Sequence, residues 1–214
     1  MSTIEDVKAN IRSLNPENKF FAETELTDQQ QHFEREKPQP YLQRTCELFA
    51  AIGGRTIVEI GCMRAMLKHP IEEIHPVCCN DGHSTYVWCT TGADVTSVDI
   101  SRRAVRRARK SCRKFDNCRI IHADGLKFLE TYTGTIDLLY LDAWNVHAHI
   151  PYAESHLIAY LKAKDKLSER NIIAVDDTDI ASGGKGKYLI PYLQYEGYEI
   201  LVQGRQTIAF RETR

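Results

Sequence analysis

The chain has 214 residues, of which 43% are hydrophobic and 27% charged, with a formal net charge of −1. This is the composition of an ordinary soluble globular protein, and the charge gives no global attraction to nucleic acid or membranes. No apolar run approaches the length of a membrane span, no secretory signal is visible, and the seven cysteines are too scattered for a disulfide framework, so we expect a cytoplasmic protein.

The first forty residues differ in pattern from the rest of the chain. They are polar and contain "NPEN" and "EKPQP", which predict one or two short helices followed by a proline-punctuated linker. We interpret residues 1–40 as an N-terminal helical extension or lid, and residues 41–214 as one domain.

From Tyr41 onward, short β-rich runs alternate with helical patterns. The predicted strands are "TIVEIG", "DVTSVDI", "CRIIHA", "IDLLYLD", "NIIAVDD", "YEILVQ" and "QTIAFR". The predicted helices include "YLQRTCELFAAIGG", "SRRAVRRARKSCRKF", "GLKFLETY", "YAESHLIAYLKAKDKL" and "GKYLIPYLQYEG". This alternation predicts a Rossmann-like α/β fold: an open, mostly parallel seven-stranded sheet with helices on both faces. The link between the last two strands is so short that they must form an antiparallel hairpin.

Acidic residues follow almost every predicted strand, where ligands of such sheets bind. The residues at these ends are Glu59, Gly61, Asp99, Asp124, Asp142, Asp176 and Asp177. Turn and capping chemistry accounts for some of these acids. An acid after the second strand can accept hydrogen bonds from ribose hydroxyls, and Asp124 could accept one from an exocyclic amine. The later "NDGHST" offers Gly82 for close backbone approach and Ser84 as a helix cap facing an anionic group.

Four of these segments together resemble the motifs of class I S-adenosylmethionine-dependent methyltransferases, in order: "VEIG", "SVDIS", "IIHADGLKFL" and "IDLLYLD". The resemblance spans roughly residues 41–210 and implies that S-adenosylmethionine is the cofactor. The positions it assigns to cofactor binding are Glu59, Gly61, Cys62, Gly82, Ser84, Asp99, Ile100, Asp124, Gly125 and Asp142. One departure is residues 62–80, an inserted loop that separates Gly61 from Gly82.

The segment "NIIAVDDTDI" raises the question of what balances its charge. Asp142 after the fourth strand would face Asp176 and Asp177 after the fifth, because neighbouring strands lie about 5 Å apart. Three carboxylates so placed repel one another unless a cation lies among them, and oxygen ligands suit Mg²⁺ or another divalent ion. The alternative is that Asp176 or Asp179 caps the following turn.

This acidic cluster resembles that of metal-dependent O-methyltransferases of the catechol and macrocin type. The resemblance implies that Asp142, Asp176 and Asp177 are the metal ligands and that the metal acidifies a substrate hydroxyl. The lysine of the catechol enzymes is replaced here by Asn145, which could still orient the substrate. His147 and His149 are the candidate bases, since imidazole titrates in a suitable range, and Asp179 is a weaker candidate.

The sequence therefore predicts a methyltransferase that O-methylates a small polyhydroxylated molecule such as a sugar or a catechol-like ring, and the resemblance implies that it depends on Mg²⁺. Alternatives are a metal-independent methyltransferase acting on RNA or another acceptor, and a non-catalytic binding protein with the same fold. The basic helix "SRRAVRRARKSCRK" is interpreted as a solvated face, and the carboxylate-lined mouth argues against a nucleic-acid substrate. Lys185 or Lys187 could contact an acidic substrate group. No membrane partner is expected, and a homo-oligomer is left open.

Overall fold

The computed structural model describes residues 3–14, 21, 34–67, 83–146 and 149–213, which include one seven-stranded sheet. Its strands are β1 (Thr56–Ile60), β2 (Asp94–Asp99), β3 (Cys118–His122), β4 (Ile136–Leu141), β5 (Leu167–Asp176), β6 (Glu199–Gln203) and β7 (Gln206–Glu212). The helices are α1 (Ile4–Arg12), α2 (Pro38–Ala51), α3 (Ser84–Thr90), α4 (Arg102–Ser111), α5 (Gly125–Thr131), α6 (Tyr152–Ala163) and α7 (Leu189–Tyr195).

The strand order is β3-β2-β1-β4-β5-β7-β6. The first five strands are parallel neighbours, while β7 runs antiparallel to both β5 and β6. The predicted fold class is thus confirmed, including the antiparallel C-terminal hairpin. The order reverses at β1 and β4, and this is the position where open α/β sheets bind ligands.

The core lies on both faces of the sheet because successive strand residues point to opposite sides. Ile57 packs in a cluster with residues of α1, α2 and α3, whereas its neighbour Val58 packs in a second cluster with residues of α5, α6 and α7. Strands buried on both faces need continuous apolar runs, which is the pattern that the sequence shows.

The register brings the carboxyl ends of the central strands to one edge of the sheet. Ile60 of β1 pairs with Val98 of β2 and with Leu141 of β4, and Leu141 pairs with Val175 of β5. The residues that follow these positions are therefore neighbours in space, as the sequence analysis assumed.

The N-terminal segment is packed on this sheet in its described parts. Helix α1 begins with a capping box in which Thr3 and Asp6 exchange hydrogen bonds, and it buries Val7 and Ile11 in the first core cluster. Helix α2 begins at Pro38, three residues before the predicted boundary. The division into an extension and a domain stays a prediction, because residues 15–20 and 22–33 lie outside the described ranges.

Within the ranges that the structure describes, no helix has both the length and the apolar character required to cross a membrane.

Candidate active site

An open cavity of about 360 Å³ lies beyond the carboxyl ends of β1, β2 and β4. Seven residues assigned to the cofactor by sequence lie on its wall: Gly61, Cys62, Asp99, Ile100, Asp124, Gly125 and Asp142. Arg64, Ser101, Trp144 and Asn145 also contribute to the wall. The structure thus brings together residues that are up to 81 positions apart in the sequence, although their role in binding stays a prediction.

Gly61 determines how closely the ends of β1 and β4 approach each other. Its φ is +93°, and a Cβ atom there would lie 2.5 Å from both the carbonyl carbon and the carbonyl oxygen of Asp142. A side chain would therefore be strained by its backbone conformation and would collide with the neighbouring strand end. The absence of a side chain therefore allows the ends of β1 and β4 to lie this close together beside the cavity.

Asp99 holds the turn that follows β1. One of its carboxylate oxygens accepts a hydrogen bond from the backbone N–H of Cys62 at 3.0 Å, and the other accepts one from the N–H of Ser101 at 2.6 Å. Each carboxylate oxygen can accept a second hydrogen bond, so Asp99 can also receive a ligand hydroxyl.

Asp124 is the N-cap of α5. Its side chain accepts from the backbone N–H of Lys127 at 3.0 Å. The capping explanation that the sequence left open for these acids therefore applies here, while the residue also borders the cavity.

Glu59 and Ser84, both predicted to bind the cofactor, are not on the cavity wall. The Glu59 carboxylate is fully buried and accepts hydrogen bonds from the hydroxyls of Ser84 and Thr85, each at 2.6 Å. Trp88 Nε1 donates to it at 3.1 Å and the Ser97 hydroxyl donates as well. The hydrogen bonds from Ser84, Thr85 and Trp88 to Glu59 hold α3 against the sheet. Gly82, which was also predicted to bind the cofactor, lies outside the described residues.

The three predicted metal ligands do lie together. Carboxylate oxygens of Asp142, Asp176 and Asp177 are all within 4.8 Å of one another. The turn after β5 has Asp177 at a φ of +52°, a left-handed conformation that aspartate tolerates better than most residues. The expected juxtaposition of the β4 and β5 ends is present.

Side-chain cations already occupy this cluster, however. The Lys185 ammonium is 2.6 Å from Asp142 Oδ1 and 2.9 Å from Asp177 Oδ2. Arg205 pairs with Asp177 Oδ1 at 2.7 Å and with Asp176 Oδ2 at 3.3 Å. The positive charges that the acidic segment requires are therefore supplied by the chain itself.

Arg35 is the third cation, and it comes from the N-terminal segment. Its guanidinium donates from Nη2 to Asp177 Oδ1 at 2.8 Å and from Nε to Asp179 Oδ2 at 2.9 Å. Only 4% of Arg35 is exposed. Asp179 is thus an ion-pair partner in the structure, which leaves it unsuited to the role of a base.

The charges in the cluster come close to balance. Among the described residues, four carboxyl groups face three cations. Burial raises the pKa of Asp176 to about 7, so this carboxyl retains a proton over much of the range below neutrality. Burial alone would raise the pKa of Asp177 as well, but Lys185, Arg205 and Arg35 together hold it well below its ordinary value.

A resident divalent ion does not fit this arrangement. An ion held by Asp142 and Asp177 would have to displace the ammonium of Lys185, whose side chain is 1% exposed. Charged groups buried as a pair are stable only when both partners remain. We therefore derive no step through a metal.

No family model and no curated protein sequence matches the chain, but solved structures do. A Podospora anserina methyltransferase with bound SAH aligns with 14% identity over 98% of this chain and 88% of its own, at a TM-score of 0.55. A Geobacter sulfurreducens methyltransferase aligns with 13% identity over 97% and 89%, at 0.56. Magnesium protoporphyrin IX methyltransferase from Synechocystis PCC 6803 with bound SAM aligns with 15% identity over 96% and 97%, at 0.55.

The fold is that of class I SAM-dependent methyltransferases. Identities of this size show the fold alone, so activity and substrate have to be argued from the site of this methyltransferase fold.

The predicted catalytic residues are only partly brought to the cavity. Asn145 lies on the wall, where its Oδ1 accepts from Arg64 Nη1 at 3.0 Å. His149 is exposed and does not line the cavity, and His147 lies outside the described residues. Trp144 also borders the cavity, and its ring meets that of the buried His156 edge-on with centroids 5.1 Å apart.

The sequence analysis missed Arg35 and Arg205 and gave Lys185 a different role. Lys185 was one of two lysines that could contact an acidic substrate group, but in the structure it pairs with acids of its own chain. The only available signal was the acidic segment itself, which requires cations without indicating where in the sequence they lie.

Proposed function

We propose that this protein is an S-adenosylmethionine-dependent methyltransferase that binds its cofactor in the cavity at the ends of β1, β2 and β4. The observation that carries the proposal is that seven residues assigned to the cofactor by sequence converge on one cavity, at the ligand-binding edge of this fold. Solved neighbours of the same fold contain SAM or SAH.

The cavity wall suits the chemistry of that cofactor. Asp99 keeps lone pairs for the ribose hydroxyls, and the turn at Asp124 and Gly125 offers polar backbone beside the adenine. Gly61 lets the methionine part approach the backbone closely. The cavity volume of about 360 Å³ lies within the roughly 300–1,000 Å³ typical of small-molecule sites, as binding of a nucleoside-sized cofactor requires.

We propose a hydroxyl-bearing small molecule as the acceptor, entering beside Asp142, Trp144 and Asn145. Bound S-adenosylmethionine supplies an electrophilic sulfonium methyl group. The chain orients the acceptor: Trp144 gives an apolar wall, while the Asn145 amide and the Asp142 carboxylate can hydrogen-bond a hydroxyl. His149 and His147 stay predictions for the group that takes the hydroxyl proton. This proposal includes no Mg²⁺, because Lys185 neutralises the acids that were predicted to bind it.

Calorimetric titration with S-adenosylhomocysteine tests the cofactor site. We expect saturable binding to the wild type that Asp99→Ala weakens at least about tenfold, since a charged hydrogen-bond acceptor contributes roughly 1.5–3 kcal/mol. Asp116→Asn is the matched control, because Asp116 is an exposed acid preceding β3 at the opposite edge of the sheet. No binding to the folded wild type would refute the proposal, whereas binding without transfer to any acceptor would favour a non-catalytic protein.

One observation favours RNA as a second acceptor class. Helix α4 begins directly after the cavity residues Ile100 and Ser101, and its exposed residues include Arg102, Arg103 and Arg106. Basic side chains spaced along a helix can contact successive phosphates. A mobility shift with single-stranded RNA, weakened in Arg102→Ala/Arg106→Ala but unchanged in Arg12→Ala/Arg170→Ala, would favour this class over a small molecule.

A further inference from the structure

The buried ion network at the ends of β4 and β5 is assembled from segments far apart in the sequence. Arg35 precedes α2, Lys185 lies in the 3-10 turn Ala181–Gly186, and Arg205 lies between β6 and β7. All three side chains are at most 4% exposed. A buried cation is stable only when it is paired with an acid, so these ion pairs are required for the folded structure.

The backbone conformation around Lys185 places its ammonium between Asp142 and Asp177. The Lys185 N–H donates to the carbonyl oxygen of Asp177 at 3.2 Å. The preceding Gly184 has a φ of +51°, and a Cβ atom there would lie 2.0 Å from that same carbonyl oxygen. Only glycine allows the turn to approach β5 so closely, and this approach places the lysine side chain between Asp142 and Asp177.

The donors around the acids leave little room for another cation. Both oxygens of Asp176 and both oxygens of Asp177 face N–H groups of Gln206, Lys185 or the arginines, and so does Asp142 Oδ1. Among the described residues, Asp142 Oδ2 alone lacks such a donor. Mg²⁺ requires an octahedral set of oxygens at about 2.0–2.1 Å, which would force several of these pairs apart.

We propose that the Lys185 ammonium takes the position of a divalent cation in this protein, fixing Asp142 at the wall of the cavity and making the site independent of metal. Lys185 is a positioning residue in this proposal, acting on the cavity through Asp142. The role given to Asp142 rests on the proposed function, but the absence of metal binding can be measured without cofactor or acceptor.

Titration with Mn²⁺, followed by the loss of the free-ion signal in electron paramagnetic resonance, tests the proposal. We expect no saturable Mn²⁺ binding to the wild type. Lys185→Ala should gain one site per chain, because removal of the ammonium leaves Asp142 and Asp177 without a shared cation. The double variant Lys185→Ala/Asp142→Asn should lose that site again. Lys187→Ala, two residues further along the same loop, is the control and should gain none.

Thermal unfolding gives a second readout. Lys185→Ala should melt below the wild type, and Mn²⁺ should restore part of the difference by binding the folded state, while neither Mn²⁺ nor a chelator should move the wild-type Tm. Where Lys185→Ala fails to fold, Lys185→Met keeps the aliphatic chain and removes only the charge. The wild-type titration can overturn the proposal whether or not either variant folds.

Two results would overturn the proposal. Stoichiometric Mn²⁺ binding to the wild type, lost in Asp142→Asn, would mean that metal displaces the ammonium. A folded Lys185→Ala or Lys185→Met variant with unchanged Tm and no Mn²⁺ binding would mean that the ammonium does not occupy a cation position. Neither result bears on S-adenosylhomocysteine binding, so the cofactor proposal stands or falls separately.

Discussion

Two buried carboxylate sites lie near the carboxyl ends of β1 and β5, which are separated in the sheet by β4, and they are stabilised in opposite ways. Glu59 at the end of β1 accepts hydrogen bonds from four neutral donors, the hydroxyls of three residues and the indole of Trp88. Asp177 after β5 is paired instead with three cations. Both arrangements satisfy the oxygens, but only the second one supplies compensating charge.

The difference appears in how the two acids hold their protons. Burial raises the pKa of Glu59 to about 8, because the hydroxyl donors offset only part of the lost hydration. Three cations hold the pKa of Asp177 well below its ordinary value despite the same burial. The Glu59 site is therefore a rigid anchor for α3, and the Asp177 site is a fixed array of charges beside the cavity.

Removal of one cation should have the largest effect on stability. Arg205→Met should lower the free energy of unfolding by about 3–5 kcal/mol, because Asp176 and Asp177 both lose a buried cationic partner and, of the three described cations, only Lys185 and Arg35 remain to balance the acids. Arg170→Met is the matched control: Arg170 pairs with Glu212 at 2.6 Å, but both side chains are about half exposed, so we expect a loss below about 1 kcal/mol. Urea unfolding of both variants measures the contrast, and equal losses would contradict it.

The turn that carries Lys185 should be the next most sensitive point. Gly184→Ala combines an unfavourable positive φ with a contact at 2.0 Å, so we expect a loss of about 2–4 kcal/mol. Gly53→Ala shares the positive φ but meets nothing within 4 Å, and should lose only about 1–2 kcal/mol. Urea or thermal unfolding of both variants measures the two losses, and their difference is the steric contribution at Gly184. Equal losses would mean that this steric contribution is absent.

The raised pKa of Glu59 predicts that the stability of the protein depends on pH. Its carboxyl holds a proton in the folded protein up to about pH 8 but releases it near pH 4.5 when unfolded. The contribution of Glu59 to stability is therefore fully present below pH 4.5 and is lost as pH rises through about 8, with a slope of at most about 1.4 kcal/mol per pH unit.

Glu59→Gln removes the titrating group and keeps the shape of the side chain. The stability of this variant relative to the wild type should rise with pH across this window, as measured by urea unfolding at several pH values. Asp176 titrates in an overlapping range, so the difference between the two proteins, and not the wild-type curve alone, isolates Glu59. A difference that stays constant with pH would contradict the raised pKa.

The fold could be predicted from the sequence because each strand is a continuous apolar run and each helix is a separate amphipathic pattern. The acids at the strand ends followed from the same pattern, since parallel strands end at one edge. The partners of these acids could not be predicted in this way. Arg35 lies 142 residues from Asp177, and a long flexible side chain on a loop carries no periodic signal. The burial of Glu59 likewise depends on where α3 packs after the inserted loop.

Glu199 completes the comparison, because it is paired with two cations, much as Asp177 is paired with three, but its side chain is more exposed. Glu199 on β6 meets Lys8 at 2.7 Å and also Arg12, yet 40% of its side chain is exposed. Water and ions already solvate this group, so Glu199→Gln should cost only about 0.5–1 kcal/mol in urea unfolding, and added salt should reduce the loss further. A loss as large as that of Arg205→Met would mean that the number of ion pairs, and not their burial, sets the stability of this protein.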